Sequence, residues 1–167
     1  MLPEQTVYIC GTSKSICSGL RVAYMVYSDA FHHKILQSIY TNNVKTSSLD
    51  AEVITELILS GVASKIANQK QQLAQMANEI YTNYFPEKKV GEHPLSFYRW
   101  LPIQTHLNTS QIETDLKNEG IRVFHSVRFM SGRTTKYHYL RIALSSTNTL
   151  DDLQRGLEIL KYYVDKH

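Results

Sequence analysis

The stretch Cys10-Gly11-Thr12-Ser13-Lys14-Ser15-Ile16-Cys17-Ser18-Gly19-Leu20-Arg21-Val22-Ala23-Tyr24 decides how this chain is read. An apolar run, Val7-Tyr8-Ile9, leads into it and has the composition of a strand. A second apolar run, Val22 to Tyr27, leads out of it. Between them lie one lysine, several small or hydroxylated residues and one arginine. Small residues let a backbone approach a ligand closely. Hydroxyls and a guanidinium suit a phosphate. A lysine at the end of a buried strand becomes a nucleophile when desolvation eases loss of its proton. The same residues also fit a plain polar loop with solvated charges. A phosphate-binding P-loop is excluded on spacing, because that pattern needs glycine immediately before the lysine and Ser13 stands there.

The bounds set by composition are wide. The 167 residues suffice for one domain, or a small domain plus part of another. Hydrophobic content of 43% and charge of 20% are ordinary for a globular protein. A net charge of +3 with no long basic run does not suggest nucleic-acid binding by this chain itself. No apolar run has membrane-spanning length and no signal peptide is apparent, so a cytoplasmic protein with no membrane partner is expected. Cys10 and Cys17 are too few for a disulfide framework, and with the adjacent His32 and His33 they make no zinc pattern. No metal site is expected. If Val7-Tyr8-Ile9 is a buried, parallel-type strand, its covering neighbours must come from elsewhere. The chain then reads as the downstream part of something larger.

Ser28-Asp29 offers an N-cap for a helix over 30–40, with Phe31, Ile35 and Ile39 four residues apart. A polar connection, Thr41 to Ser48, includes Asn42 and Asn43. Asp50 is expected to cap a short helix carrying Val53, Ile54, Leu57 and Ile58. After a break at Gly61, a long helix runs from Val62 to Phe85, with Ile66, Leu73, Met76, Ile80 and Tyr84 as its core stripe, and Pro86 stops it. From Gly91 the pattern changes to a strand over 96–103, a helix with a Ser110–Glu113 capping box ending at Gly120, a strand over 121–124, a turn at Ser131-Gly132, a strand over 137–144, and a final helix opened at Thr149 to Asp152. This is a compact α+β layer with helices on one side of a sheet. In its last strand Leu140, Ile142 and Leu144 face the helices, and Tyr139, Arg141 and Ala143 face away. Arg141 there is either a surface salt-bridge former or a fork for a carboxylate.

Ser13-Lys14 followed by Gly19-Leu20-Arg21 and an apolar strand resembles the cofactor-lysine signature of fold-type I pyridoxal-phosphate enzymes, the class I/II aminotransferases. Leu140-Arg141-Ile142-Ala143-Leu144-Ser145-Ser146, followed by an acidic-capped helix, resembles the carboxylate-binding arginine segment of the same family. A narrower likeness, carried by Glu56 to Ala63, Gly120 to Val123 and Phe129 to Gly132, is to the aminotransferase-like half of MocR-type regulators of the GntR group. The resemblance covers essentially the whole chain. It implies an α/β fold, the C-terminal part of the fold-type I transferase: residues 1–60 a remnant of the cofactor-binding large domain, 61–86 a connecting helix, and 87–167 the small α+β domain.

By that resemblance Lys14 is the Schiff-base lysine and the base for the substrate α-proton, Ser13 and Arg21 hold the phosphate of pyridoxal 5'-phosphate, and Arg141 binds the carboxylate of an amino-acid substrate or effector. The parent would be a homodimer that meets DNA only through an N-terminal domain. A genuine aminotransferase and a small domain with no activity of its own are the other readings. Gly11 stands where the family often has a hydroxyl, and Ala23 where a glycine often follows the arginine. The acidic partner of the pyridine nitrogen, the ring-stacking aromatic and the upstream phosphate-binding turn belong to earlier sequence. The chain alone is therefore expected to bind the cofactor weakly, to transaminate nothing, and to expose the apolar faces of its first two strands.

Overall fold

The lysine stretch folds back on itself. In the computed structural model, which describes residues 2–42, 46–86, 93–104, 109–132 and 137–166, β1 (Tyr8–Gly11) pairs antiparallel with β2 (Ala23–Val26), from Tyr8 opposite Val26 to Gly11 opposite Ala23. This corrects the parallel-type reading of the first strand. Parallel pairing needs a long crossover, whereas here a single helical turn, α1 (Thr12–Ser15), begins the reversal. Every residue of both strands is exposed, Ile9 to 59% and Val26 to 65%.

The chain divides into two units within its long helix, residues 1–70 and 71–167. In the first, α2 (Asp29–Thr41) begins after Ser28, whose hydroxyl donates to the Glu4 carbonyl at 3.4 Å instead of capping the helix. Helix α3 (Ser48–Leu59) is capped by Ser47, whose oxygen accepts the Asp50 N–H. Asp50 is therefore three residues inside the cap, not the cap itself, and its charge sits favourably in the first turn. Ile54 is the buried residue of α3. Gly61 takes φ 75° between α3 and α4 (Val62–Tyr84), a conformation a side chain would strain. Asn43 and the rest of 43–45, and the composition change at Gly91, lie outside the described residues.

Helix α4 keeps Ile80 and Tyr84 of the expected stripe against the core, but its most buried residues lie elsewhere. Its buried residues are Ala74, Ala77, Asn78 and Tyr81, while Leu73 and Met76 are about half exposed. Asn78 explains part of the difference. Its amide donates to the Ser96 carbonyl at 2.9 Å, and its oxygen accepts Arg99 Nε at 2.7 Å. This satisfied polar bridge fixes the rotation of the helix against β3 (Tyr98–Ile103).

The second unit is a three-stranded antiparallel sheet in the order β3-β5-β4, with β4 at Phe124–His125 and β5 at His138–Ala143. Pro102, which lacks an N–H, is tolerated in β3 because β3 is an edge strand. Helix α5 (Thr109–Asn118) ends as expected at Gly120, φ 84°. The Gly120 N–H reaches the Lys117 carbonyl and the Ile121 N–H reaches that of Leu116, a Schellman motif. That motif commits Ile121 to the helix end, so β4 is shorter than the 121–124 strand expected.

The expected Ser110–Glu113 box does not operate. The helix already includes Thr109, Glu113 is engaged elsewhere, and the Ser110 side chain lies outside the described residues. Helix α6 (Leu150–Lys166) is capped by Thr149, whose oxygen accepts the Asp152 N–H at 3.0 Å while its hydroxyl donates to that carboxylate at 2.8 Å. Leu153, Leu157 and Leu160 of α6 join Leu140, Ile142, Leu101, Ile112 and Leu116 in the core. Tyr163 donates to Asp115 at 2.9 Å, tying α6 to α5, and burial followed by this bond pushes its phenol up to about 12.

Candidate functional site

Residues 13–21 form a loop closed at its neck. The Thr12 N–H and hydroxyl both donate to the Val22 carbonyl, at 3.1 and 2.9 Å, and both residues are buried. Ser13 and Arg21 are the next residues into the loop on either side, so the neck brings the hydroxyl-bearing and guanidinium-bearing positions near one another. Lys14 follows in α1 and is exposed, as is Arg21, while Ser13 is half-buried. Lys70 Nζ donates to the Lys14 carbonyl at 3.3 Å and fixes the turn from α4. A primary amine, a hydroxyl and a guanidinium carried on one closed loop are a donor set that fits an aldehyde bearing a phosphate. Thr12, which closes the neck, had no motif to announce it.

The loop also shapes a thiol. The N–H groups of Gly19 and Leu20 point at Cys17 and lower its pKa below the ordinary thiol value. Slight burial opposes this, and Lys70 adds a smaller downward pull. Alkylation of Cys17 by iodoacetamide is expected to rise with pH through a midpoint below that of a free thiol. Peptide mass mapping across a pH series measures this, and a midpoint at or above the ordinary value would contradict the geometry.

Arg141, the fourth predicted site residue, lies in the second unit, on central strand β5. It faces away from the core as its alternation requires, with Leu140 and Ile142 buried on the other side. Its guanidinium carbon lies 3.7 Å from the centre of the Tyr98 ring and 5.2 Å from that of Phe129. Trp100, opposite Arg141 in the ladder, meets Phe129 edge to face at 5.4 Å. Among the described residues no carboxylate pairs with Arg141. Tyr98 and Trp100 were legible only as strand aromatics, and Phe129 only as part of a motif.

Phe129 is carried by a 3-10 turn, Ser126–Phe129, which two polar contacts pin down. The Glu113 carboxylate accepts Arg128 Nε at 2.9 Å and the His125 N–H at 2.8 Å. His125, buried to 1%, accepts the Val127 N–H on Nδ1 at 3.1 Å, and its Nε2 lies 3.2 Å from His138 Nδ1. With Nδ1 accepting, the proton of neutral His125 sits on Nε2 and points at His138. A further proton on this pair sets two N–H groups against each other at one of the two contacts.

Burial first, and the charge of His138 second, lower the His125 value, while Glu113 pulls it upward. The unfolded chain takes up this proton near the ordinary value of about 6.5, and the folded chain only at lower pH. The unfolded state thus binds more protons in that window, so stability is complete above it and falls as pH drops through it. Urea midpoints measured from pH 8 to pH 5 are expected to decline, with a smaller decline in His125→Asn. An equal slope in both proteins would remove His125 as the cause.

With this geometry in place, likeness to solved structures defines the class. A kynurenine aminotransferase of Pyrococcus horikoshii superposes with a TM-score of 0.82 at 14% identity, covering 98% of this chain and 41% of that one. An archaeal alanine:glyoxylate aminotransferase superposes at 0.78 and 14% identity, covering 93% of this chain and 40% of that one. An 8-amino-7-oxononanoate synthase of Francisella tularensis gives 0.61 at 22% identity, over 96% of this chain and 46% of that one. The fold is the aminotransferase fold.

A relative in sequence is an uncharacterised HTH-type transcriptional regulator, YdeF, of Bacillus subtilis (strain 168). It is 24% identical over 163 residues, 98% of this chain, and the chain spans 35% of that relative's length. No family model matches the chain. Among the described residues no helix is long and apolar enough to cross a membrane.

Proposed function

We propose that this chain is the C-terminal, aminotransferase-like part of the effector domain of a MocR-type regulator in the GntR group. The observation that carries the proposal is near-complete alignment of the chain to an HTH-type regulator, together with an aminotransferase fold. In this reading residues 1–60 belong to the large domain, 61–86 connect, and 87–167 form the small domain. The parent is a cytoplasmic homodimer that reaches DNA through an N-terminal module. Pyridoxal 5'-phosphate, when bound, supplies an electron sink. Lys14 holds its aldehyde carbon, Ser13 and Arg21 hold its phosphate across the loop neck, and Arg141 receives the carboxylate of an amino-acid effector.

The structural neighbours named as aminotransferases favour one alternative, a fragment of a true transaminase using the same residues. One pair of measurements on the longer protein separates them. With pyridoxal phosphate and a panel of amino acids, the regulator reading expects DNA retention to change while 2-oxo acid stays at background. Catalytic release of 2-oxo acid with no effect on DNA retention would overturn it in favour of the transaminase.

A further inference from the structure

The register of the second sheet places Tyr98, Trp100 and Pro102 of β3, Tyr139, Arg141 and Ala143 of β5, and Phe124 of β4 on one face. Arg141 is the single charged side chain among these seven. Arg128 lies over the Phe124 ring at 5.3 Å, but its guanidinium is already engaged by Glu113. Among the described residues of this face, a second anionic group on a ligand would therefore meet rings rather than another cation. Around Arg141 the rings remain open: Trp100 is 36% exposed and Phe129 49%. Tyr98 covers one face of the guanidinium at 3.7 Å. Stacking of this kind restrains the plane and leaves the N–H edge for a planar anion.

We propose that this face selects a monocarboxylate carrying an apolar, preferably aromatic, group, and that Tyr98 is the positioning residue that aims Arg141. The proposal rests on the reading of Arg141 as a carboxylate binder. The carboxylate takes the guanidinium edge. The adjoining apolar group packs on Phe129 and Trp100, where edge-to-face ring contact and area burial both favour it. Dicarboxylates are disfavoured because the described residues of this face offer their second charge no partner once it is desolvated.

The chain holds a single tryptophan, Trp100, so its emission reports on this face directly. Titrations of the full chain with 3-phenylpropanoate, propanoate and glutarate test the proposal. The expected result is 3-phenylpropanoate binding at least about tenfold more tightly than propanoate or glutarate, in line with burial of one ring. Tyr98→Leu weakens 3-phenylpropanoate and propanoate by the same factor, about three- to tenfold, and Tyr98→Phe restores both. Phe129→Ala weakens 3-phenylpropanoate alone. A Tyr98 role in structure only would not give this common factor with rescue by phenylalanine.

Glutarate binding as tightly as 3-phenylpropanoate overturns the apolar selectivity and leaves Arg141 as a carboxylate binder. Unchanged affinities in Tyr98→Leu overturn the positioning role. If no probe binds, or Arg141→Ala binds as wild type does, the carboxylate reading of Arg141 itself falls, and the face is packing surface for other protein.

Discussion

Replacing Lys14 with alanine is expected to abolish borohydride-trapped pyridoxyl label in the longer protein that we propose carries this segment. Only the amine can hold the aldehyde, so the loss is complete rather than graded. Peptide mapping after reduction places the wild-type label on the peptide containing Lys14. Persistence of a stoichiometric label on another lysine, Lys70 included, would remove Lys14 from its proposed role. Arg21→Ala should act differently. It removes charge-assisted hydrogen bonds worth about 1.5–3 kcal/mol, so the label survives but needs roughly ten- to a hundredfold more cofactor. The exposure of Lys14 in the described chain gives the reason to expect weak labelling of the 167 residues alone.

Leu157→Ala is expected to cost about 2–5 kcal/mol, a large share of the stability of a domain this size. Leu157 is 2% exposed and belongs to the central cluster of the second unit. Urea denaturation followed through Trp100 emission reports on the sheet that Leu157 covers. Met76→Ala provides the contrast. At 49% exposure its truncation should stay within about 0.5 kcal/mol. A costly Met76→Ala would restore the apolar stripe that the large residues of α4 suggested.

That stripe marks where sequence reading reached its limit. The large apolar side chains of α4 outline one face, but Asn78 and two alanines define the buried one. The deciding contact, Asn78 with Arg99, is long-range and polar, and no local period announces it. The same holds for Thr12 and Val22. Their hydrogen bonds close the loop, yet neither belongs to a motif, and the antiparallel turn between them was not evident from two apolar runs. Elements whose signals are local were legible: the glycine end of α5, the Thr149 opening of α6, and the alternation that turns Arg141 outward.

Among the proposed site residues, Lys14, Ser13 and Arg21 were readable as chemistry, and the structure adds the Thr12–Val22 neck from which Ser13 and Arg21 lead into the loop. The aromatic surroundings of Arg141 come from three separate segments that only the register brings together.

The central position of β5 has a kinetic consequence. Of its two neighbours, β4 lies close to it in sequence, whereas β3 lies far back, before α5. Both must be in place before β5 has a partner on each side. Pairings as long-range as that with β3 form late, because chain closure must precede any gain from them. A protein emerging from the ribosome would thus complete helix α4 and its turns well before Arg141 acquires its final surroundings. Once assembled, β5 is doubly paired, so its amides should be among the slowest in the sheet to exchange with solvent. Late assembly and slow opening make the Arg141 face the most durable part of the sheet that bears it.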